Sequence, residues 1–170
     1  CGGGGGDPRA AAPLFMPYLG DGERDDPALR AAFIGLSDRH GRDELAYSVV
    51  EGLAFGIAET LSVLRDAGSP LDELRVAGGG GRLPTLGQVK ADVLGCPVRN
   101  LEYDSAPIGV AMLAASGAGY RDEAAAALGA NLERAMIFAP ARAPAAGGPI
   151  TERYGWFLEV RASEAVRLRS

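Results

Sequence analysis

From about Arg42 to Arg65, apolar residues recur at a helical interval. Leu45, Val49, Leu53, Ile57 and Leu61 form a stripe that Ala46, Val50, Ala54 and Leu64 widen, the pattern of an amphipathic helix. Asp43 and Glu44 fall in its first turn, where the macrodipole favours anions. Arg65 falls in the last turn, Gly68 takes the position just past the end, and Pro70 follows. Gly52 and Gly56 interrupt the helix, each costing about 1 kcal/mol relative to alanine. Four apart, they share one face, where close packing of another backbone explains them better than ligand contact. Upstream, residues 14–19 read as the first ordered piece and 31–36 as a short strand, with a turn-rich acidic stretch over 20–27 between them.

Downstream the pattern alternates between strand and helix. An apolar strand over 74–77 runs into four glycines, Gly78 to Gly81, and then a helix from Pro84, a good first helical residue, to Leu94, with Gly95 stopping it. A second strand covers 97–101. Asp104 or Ser105 caps a helix over 107–116 whose Gly109, Ala111, Ala114 and Ala115 make it thin enough to lie close to a sheet. A further helix covers 121–134, an Ala/Pro/Gly-rich connection 139–149, and a last helix 149–168. Tyr154, Phe157, Leu158, Ala162 and Ala165 form the expected buried side of that last helix. This order predicts an α/β sheet with parallel members. Three or four short strands are few for this much helix, so part of the domain is expected to lie outside the chain. The glycine-rich start, residues 1–13, reads as a flexible linker, and without an initial Met the chain reads as a piece of something longer.

Composition narrows the classes. The 170 residues are 47% hydrophobic and carry a formal net charge of −5, which suits a globular chain with a real core. Arginines are scattered singly and Lys90 is the only lysine. No cation cluster is present to bind nucleic acid. No apolar run approaches the roughly 20 residues of a membrane span, and no signal-peptide pattern stands at the start. Neither nucleic acid nor membrane is expected as a partner. Cys1 and Cys96 form no CxxC pair and read as two thiols of a reducing cytoplasm in preference to a disulfide. His40 is the sole histidine, which argues against a zinc site or a Ser-His-Asp triad; it reads as a loop residue.

The glycine run carries the candidate chemistry. Glycines between a strand and a helix let a ligand approach the backbone, and the carboxyl ends of parallel strands are the usual ligand side. A Walker A loop would end in Gly-Lys-Ser/Thr, but Arg82-Leu83-Pro84-Thr85 stands there. The dinucleotide fingerprint fails because its third glycine would fall on Leu83 or Pro84. An uncharged glycine wall remains, better suited to an adenine or ribose face than to a triphosphate; a tight turn without a ligand is the plainer alternative.

The segment from Leu74 to Val98 resembles the adenosine segment of FGGY carbohydrate kinases, in particular the xylulokinase-like branch. Gly78, Gly79, Gly80, Arg82, Gln88, Ala91, Asp92, Gly95, Pro97 and Val98 match its pattern without a gap. Phe15-Met16-Pro17-Tyr18-Leu19 with Gly22-Glu23-Arg24 is similar to the family's F-x-PYL-x-GER, with one extra residue. Asp26-Pro27-Ala28, Phe33-Ile34-Gly35-Leu36, Glu51-Gly52-Leu53-Ala54-Phe55 and Ile108 to Ala115 resemble later family segments in the same order, and Tyr154 its Tyr-rich last helix. The similarity runs over about residues 13–168.

The resemblance implies an actin-like ATPase (ribonuclease H-like) C-terminal domain of α/β class, incomplete and with extra C-terminal helices, over 14–170. It implies an enzyme that transfers the γ-phosphoryl of Mg-ATP to a hydroxyl of a sugar or polyol, a xylulose-like ketose being favoured. Gly79, Gly80 and Gly81 would contact adenosine through their backbones, with Leu83 and Gln88 near the base or simply packing. Asp92 is expected to be structural, and Glu23 and Arg24 to fix the loop at the domain boundary. No catalytic residue and no metal ligand is expected in this chain: the base aspartate, sugar-binding residues and phosphate loops belong to an upstream domain, and Asp7, Asp25 and Asp26 do not stand in the aspartate's motif. That missing domain and the sugar are the expected partners; a homodimer is a further expectation. The expected location is cytoplasmic, and the chain alone is expected to be inactive. Leu83 in place of serine, and Leu86-Gly87 in place of Trp-Arg, lead us to expect weaker nucleotide contact than in a typical member. Two rival classes are a non-catalytic nucleotide-binding or scaffold fragment of the actin-like superfamily, and a helix-rich interaction domain whose glycines only turn the chain.

Overall fold

The computed structural model describes residues 12–20, 26–101, 105–141 and 149–167. The expected linker over 1–11, Cys1, Asp7, Glu23-Arg24, Asp25, the Asp104 cap and most of the Ala/Pro/Gly-rich connection lie outside them. Contacts gather into two compact units, Cys1–Ser69 with Pro144–Ser170 and Pro70–Ala143.

In the first unit, β1 (Leu14–Met16) pairs antiparallel with β2 (Ala32–Ile34) in the register Leu14↔Ile34. Helices α1 (Arg42–Asp66) and α5 (Pro149–Arg167) both pack on β1. The rings of Phe55, Tyr154 and Phe157 cluster between these helices, with centroids of Phe55 and Phe157 5.5 Å apart, and both phenylalanines are fully buried. Ala12 and Pro13, assigned by sequence to the linker, are buried at the start of β1.

Helix α1 begins at Arg42 as its caps predict, and Glu44 Oε2 accepts the Gly41 N–H at 2.9 Å. Its buried face is not the expected one. Of the predicted stripe only Ala54 is fully buried, beside Ser48, Glu51, Gly52 and Phe55, while Leu53 and Leu64 are exposed and Leu45, Val49, Ile57 and Leu61 are only half-buried. Polar pairing explains the rotated phase. Arg153 Nε donates to both Glu51 carboxylate oxygens at 2.9 and 3.0 Å, and its Nη1 donates to the Ala12 carbonyl at 3.1 Å. The Glu51 carboxylate raises the Arg153 pKa further, so a buried charge is matched rather than excluded. Gly52 settles its own question: a Cβ there would strike the Phe15 carbonyl oxygen, so the residue is glycine to let α1 reach β1. By length and a mean hydropathy of 1.3 in its most apolar window, α1 is long and apolar enough to cross a membrane, contrary to the sequence expectation. Its buried Glu51, however, is paired to α5. On α5 the inward residues are Arg153, Tyr154, Phe157 and Arg161, whereas Leu158 and Ala162 of the expected face are exposed.

In the second unit, β3 (Leu74–Val76), β4 (Val98–Asn100) and β5 (Met136–Phe138) form a sheet in that order. The β3–β4 pair is parallel, as predicted; β5, which the sequence reading does not include, adds antiparallel on β4. The crossover between β3 and β4 is the glycine run and helix α2 (Pro84–Leu94). Leu86, Val89, Ala91 and Leu94 of α2 bury against the sheet side with Val98, and Gly95 closes the helix in the left-handed region at φ 68°. Helix α3 (Ser105–Gly117) packs chiefly on α4 (Arg121–Glu133) and not on a sheet as expected; Val110 and Leu113 are exposed. Glu73 takes two guanidinium groups, Arg99 first and then Arg75, which hold its carboxyl at about 2.

Candidate functional site

The parallel pair β3–β4 fixes where the glycines lie, since their run begins two residues past the carboxyl end of β3. Gly78 turns the chain at φ 88°, a conformation costly to any residue with a Cβ. Gly79–Arg82 then form one 3-10 turn, closed by the Gly81 N–H donating to the Gly78 carbonyl at 3.0 Å. Pro84 starts α2 immediately afterwards.

The expected site residues separate into two groups. Gly79, Gly80, Gly81 and Leu83 are contiguous around the turn. A Cβ on Gly79 would meet nothing within 4 Å, and one on Gly80 would meet only Leu86 Cδ2 at 3.9 Å. Neither residue has positive φ, so neither the local conformation nor the protein's own packing demands glycine there. Gly81 faces inward, its would-be Cβ 3.7 Å from Val76 and 3.8 Å from Asn100. Leu83 is 55% exposed and occupies the cap position of α2 without a side-chain cap bond; a serine there would supply one.

Gln88 is placed differently. Its Nε2 donates to Asp92 Oδ1 and to the Ala139 carbonyl, both at 2.9 Å, and Asp92 Oδ1 also accepts the Ala141 N–H at 2.8 Å. Both side chains therefore tie α2 to the chain leaving β5, the structural part expected of Asp92. Gly87 admits the ring of Phe138, which a Cβ would approach to 2.5 Å. His40 closes its own loop, its Nδ1 accepting the Ser37 N–H at 2.9 Å. Asp26 Oδ1 accepts the Ala28 N–H at 3.2 Å in a local turn. Among the described residues, no three His, Cys, Asp or Glu side chains are grouped to hold a metal.

One residue at the turn escapes the sequence reading. Asn100 ends β4, 5% exposed, and its Nδ2 donates to the Gly81 carbonyl at 2.7 Å. The available signal was a polar residue at the carboxyl end of a buried parallel strand. Lys90, the sole lysine, is buried on α2, and desolvation lowers its pKa.

What this turn can do is offer backbone atoms to a flat ligand at the carboxyl edge of a parallel pair. It brings no nucleophile and no general base of its own.

The chain is similar to known proteins in sequence and in fold. The family model for the FGGY family of carbohydrate kinases, C-terminal domain, matches residues 5–118. The chain is 33% identical over 111 residues to the xylulose kinase of Staphylococcus epidermidis, covering 63% of this chain and 22% of that one. It is 39% identical over 102 residues to the glycerol kinase of Dechloromonas aromatica, covering 58% and 20%. The matched segment thus spans about a fifth of the length of these curated relatives. The crystal structure of xylulose kinase from Rhodospirillum rubrum superposes at a TM-score of 0.75 with 26% identity, covering 95% of this chain and 32% of that one. That of a xylulose kinase from Brucella ovis gives a TM-score of 0.69 with 25% identity, covering 89% and 31%. The fold is the mixed α/β, actin-like ATPase type of the sugar kinases. The chain belongs to the FGGY family of carbohydrate kinases, in its C-terminal domain.

Proposed function

We propose that this chain is the nucleotide-binding part of an ATP-dependent kinase that phosphorylates a hydroxyl of a sugar or polyol. The observation that carries the reading is the glycine turn, where Gly79 and Gly80 stand open although nothing in the fold requires glycine at either position. Adenosine would lie along that backbone, with Gly81 turned inward to the protein. Leu83, exposed beside the turn, would border the base by apolar contact. Gln88, whose amide is engaged by Asp92 and Ala139, would act on the base only by supporting α2.

Phosphoryl transfer asks a protein for positioning, charge neutralisation and a group that accepts the hydroxyl proton. This chain supplies the first for the nucleotide. The proton acceptor, the phosphate contacts and the groups that hold Mg-ATP and the sugar would come from an upstream domain, and a cytoplasmic location belongs to the same reading. A xylulose-like ketose is favoured over glycerol by the Gly-Gly-Gly-x-Arg pattern of residues 78–82.

A coupled assay of ADP release by the full-length protein, run over pentuloses, hexuloses and polyols, tests this. Turnover is expected with one ketose of the panel; ADP binding without turnover on any of them would favour the non-catalytic, scaffold reading.

A further inference from the structure

The turn's conformation is not fixed by the glycines alone. Gly78 and Gly81 close it with one backbone bond of 3.0 Å, and a lone 3-10 turn of this length has little stability of its own. The one side chain bonded to its carbonyls among the described residues is Asn100. In the parallel register Asn100 stands opposite Val76, and the Leu101 N–H donates to the Val76 carbonyl at 2.8 Å, which pins the end of β4 beside the end of β3. From there Nδ2 reaches across 19 positions of sequence to the Gly81 carbonyl at 2.7 Å.

The other half of the same amide has no such use. Asn100 Oδ1 is buried and has no hydrogen-bond partner among the described residues, a condition that costs about 1–3 kcal/mol. A leucine of similar size would avoid that cost. Stability of the sheet therefore does not account for asparagine at this position, whereas the bond to Gly81 does.

We propose that Asn100 is a positioning residue for the nucleotide contact: it locks the 3-10 turn so that the backbone of Gly79 and Gly80 is presented open at the sheet edge. This rests on the reading of the turn as the adenosine contact. Asn100 acts through Gly81 and touches no reacting atom.

The test uses the full-length protein with Asn100→Asp, which keeps the shape and replaces the donor by an acceptor, and Asn100→Leu, which removes both. Hydrogen exchange at the Gly81 amide reports the turn directly. In both variants it is expected to rise about tenfold, the equivalent of about 1.4 kcal/mol and within the range of one lost hydrogen bond. The KM for ATP is expected to rise by a similar factor, with kcat and the KM for the sugar within twofold of wild type. If one variant fails to fold, the other decides. A folded variant with wild-type Gly81 exchange and wild-type ATP KM overturns the proposal. A wild-type protein that neither binds nor uses nucleotide overturns the functional reading instead, and the exchange measurement still decides whether Asn100 holds the turn.

Discussion

The four adjacent glycines differ in what a side chain would meet, and single substitutions separate them. Gly78 is glycine for its backbone: at φ 88° an alanine is strained. Gly78→Ala is expected to destabilise the protein by about 1–2 kcal/mol. Gly81→Ala meets only ordinary contacts at 3.7–3.8 Å and has no positive φ, so it is expected to be neutral or to stabilise by up to about 1 kcal/mol through the unfolded chain. Urea denaturation of the two variants, read as a difference in midpoint, checks the contrast; equal effects would mean that the turn is not the one described. In our proposal Gly79 and Gly80 are the two that face the ligand. The turn itself was legible because four glycines stand between a strand and a helix. Which glycine does what was not, since that depends on φ values and on neighbours such as Asn100 that register, not sequence order, brings near.

At the scale of elements, helix limits were legible and helix faces were not. Gly41, Asp43, Glu44, Gly68 and Pro70 mark the ends of α1 by local chemistry, and Pro84 and Gly95 mark those of α2, so short windows suffice. The buried face of α1 depends on a partner 102 positions away, Arg153 on α5, which turns Glu51 inward and displaces the leucine stripe. Hydropathy counts Glu51 as a surface residue and assigns the wrong phase. The Glu51-Gly52 pair thereby acquires a structural meaning: one residue holds α5 and the other lets α1 reach β1. Arg153→Met leaves Glu51 buried without its cation and frees the Ala12 carbonyl. It is expected to cost about 3 kcal/mol, measured by denaturant unfolding of the full-length protein, and a loss below about 1 kcal/mol would contradict this account of the face. Strand β5 was missed for a related reason. Met136-Ile137-Phe138 is three residues long between a helix and a proline-bearing segment, and only its pairing with β4 and the seating of Phe138 over Gly87 distinguish it from loop.

For the whole molecule, both the order of motifs and the fold lead to the FGGY kinases. This chain holds the glycine turn and the Asn100 support. It spans about a fifth of the matched relatives' length, and the proton acceptor and phosphate contacts are assigned by our reading to the remainder. The central claim is that the open backbone at Gly79 receives the nucleotide. Calorimetry of ADP binding to the full-length protein and to Gly79→Leu, whose Cβ would meet nothing within 4 Å, tests it. The account expects ADP binding weaker than micromolar in the wild type, in keeping with Leu83, Leu86 and Gly87 at their positions, and a further loss of at least about tenfold, or about 1.4 kcal/mol, in Gly79→Leu at an unchanged melting temperature. Equal affinity of the two proteins for ADP would contradict it.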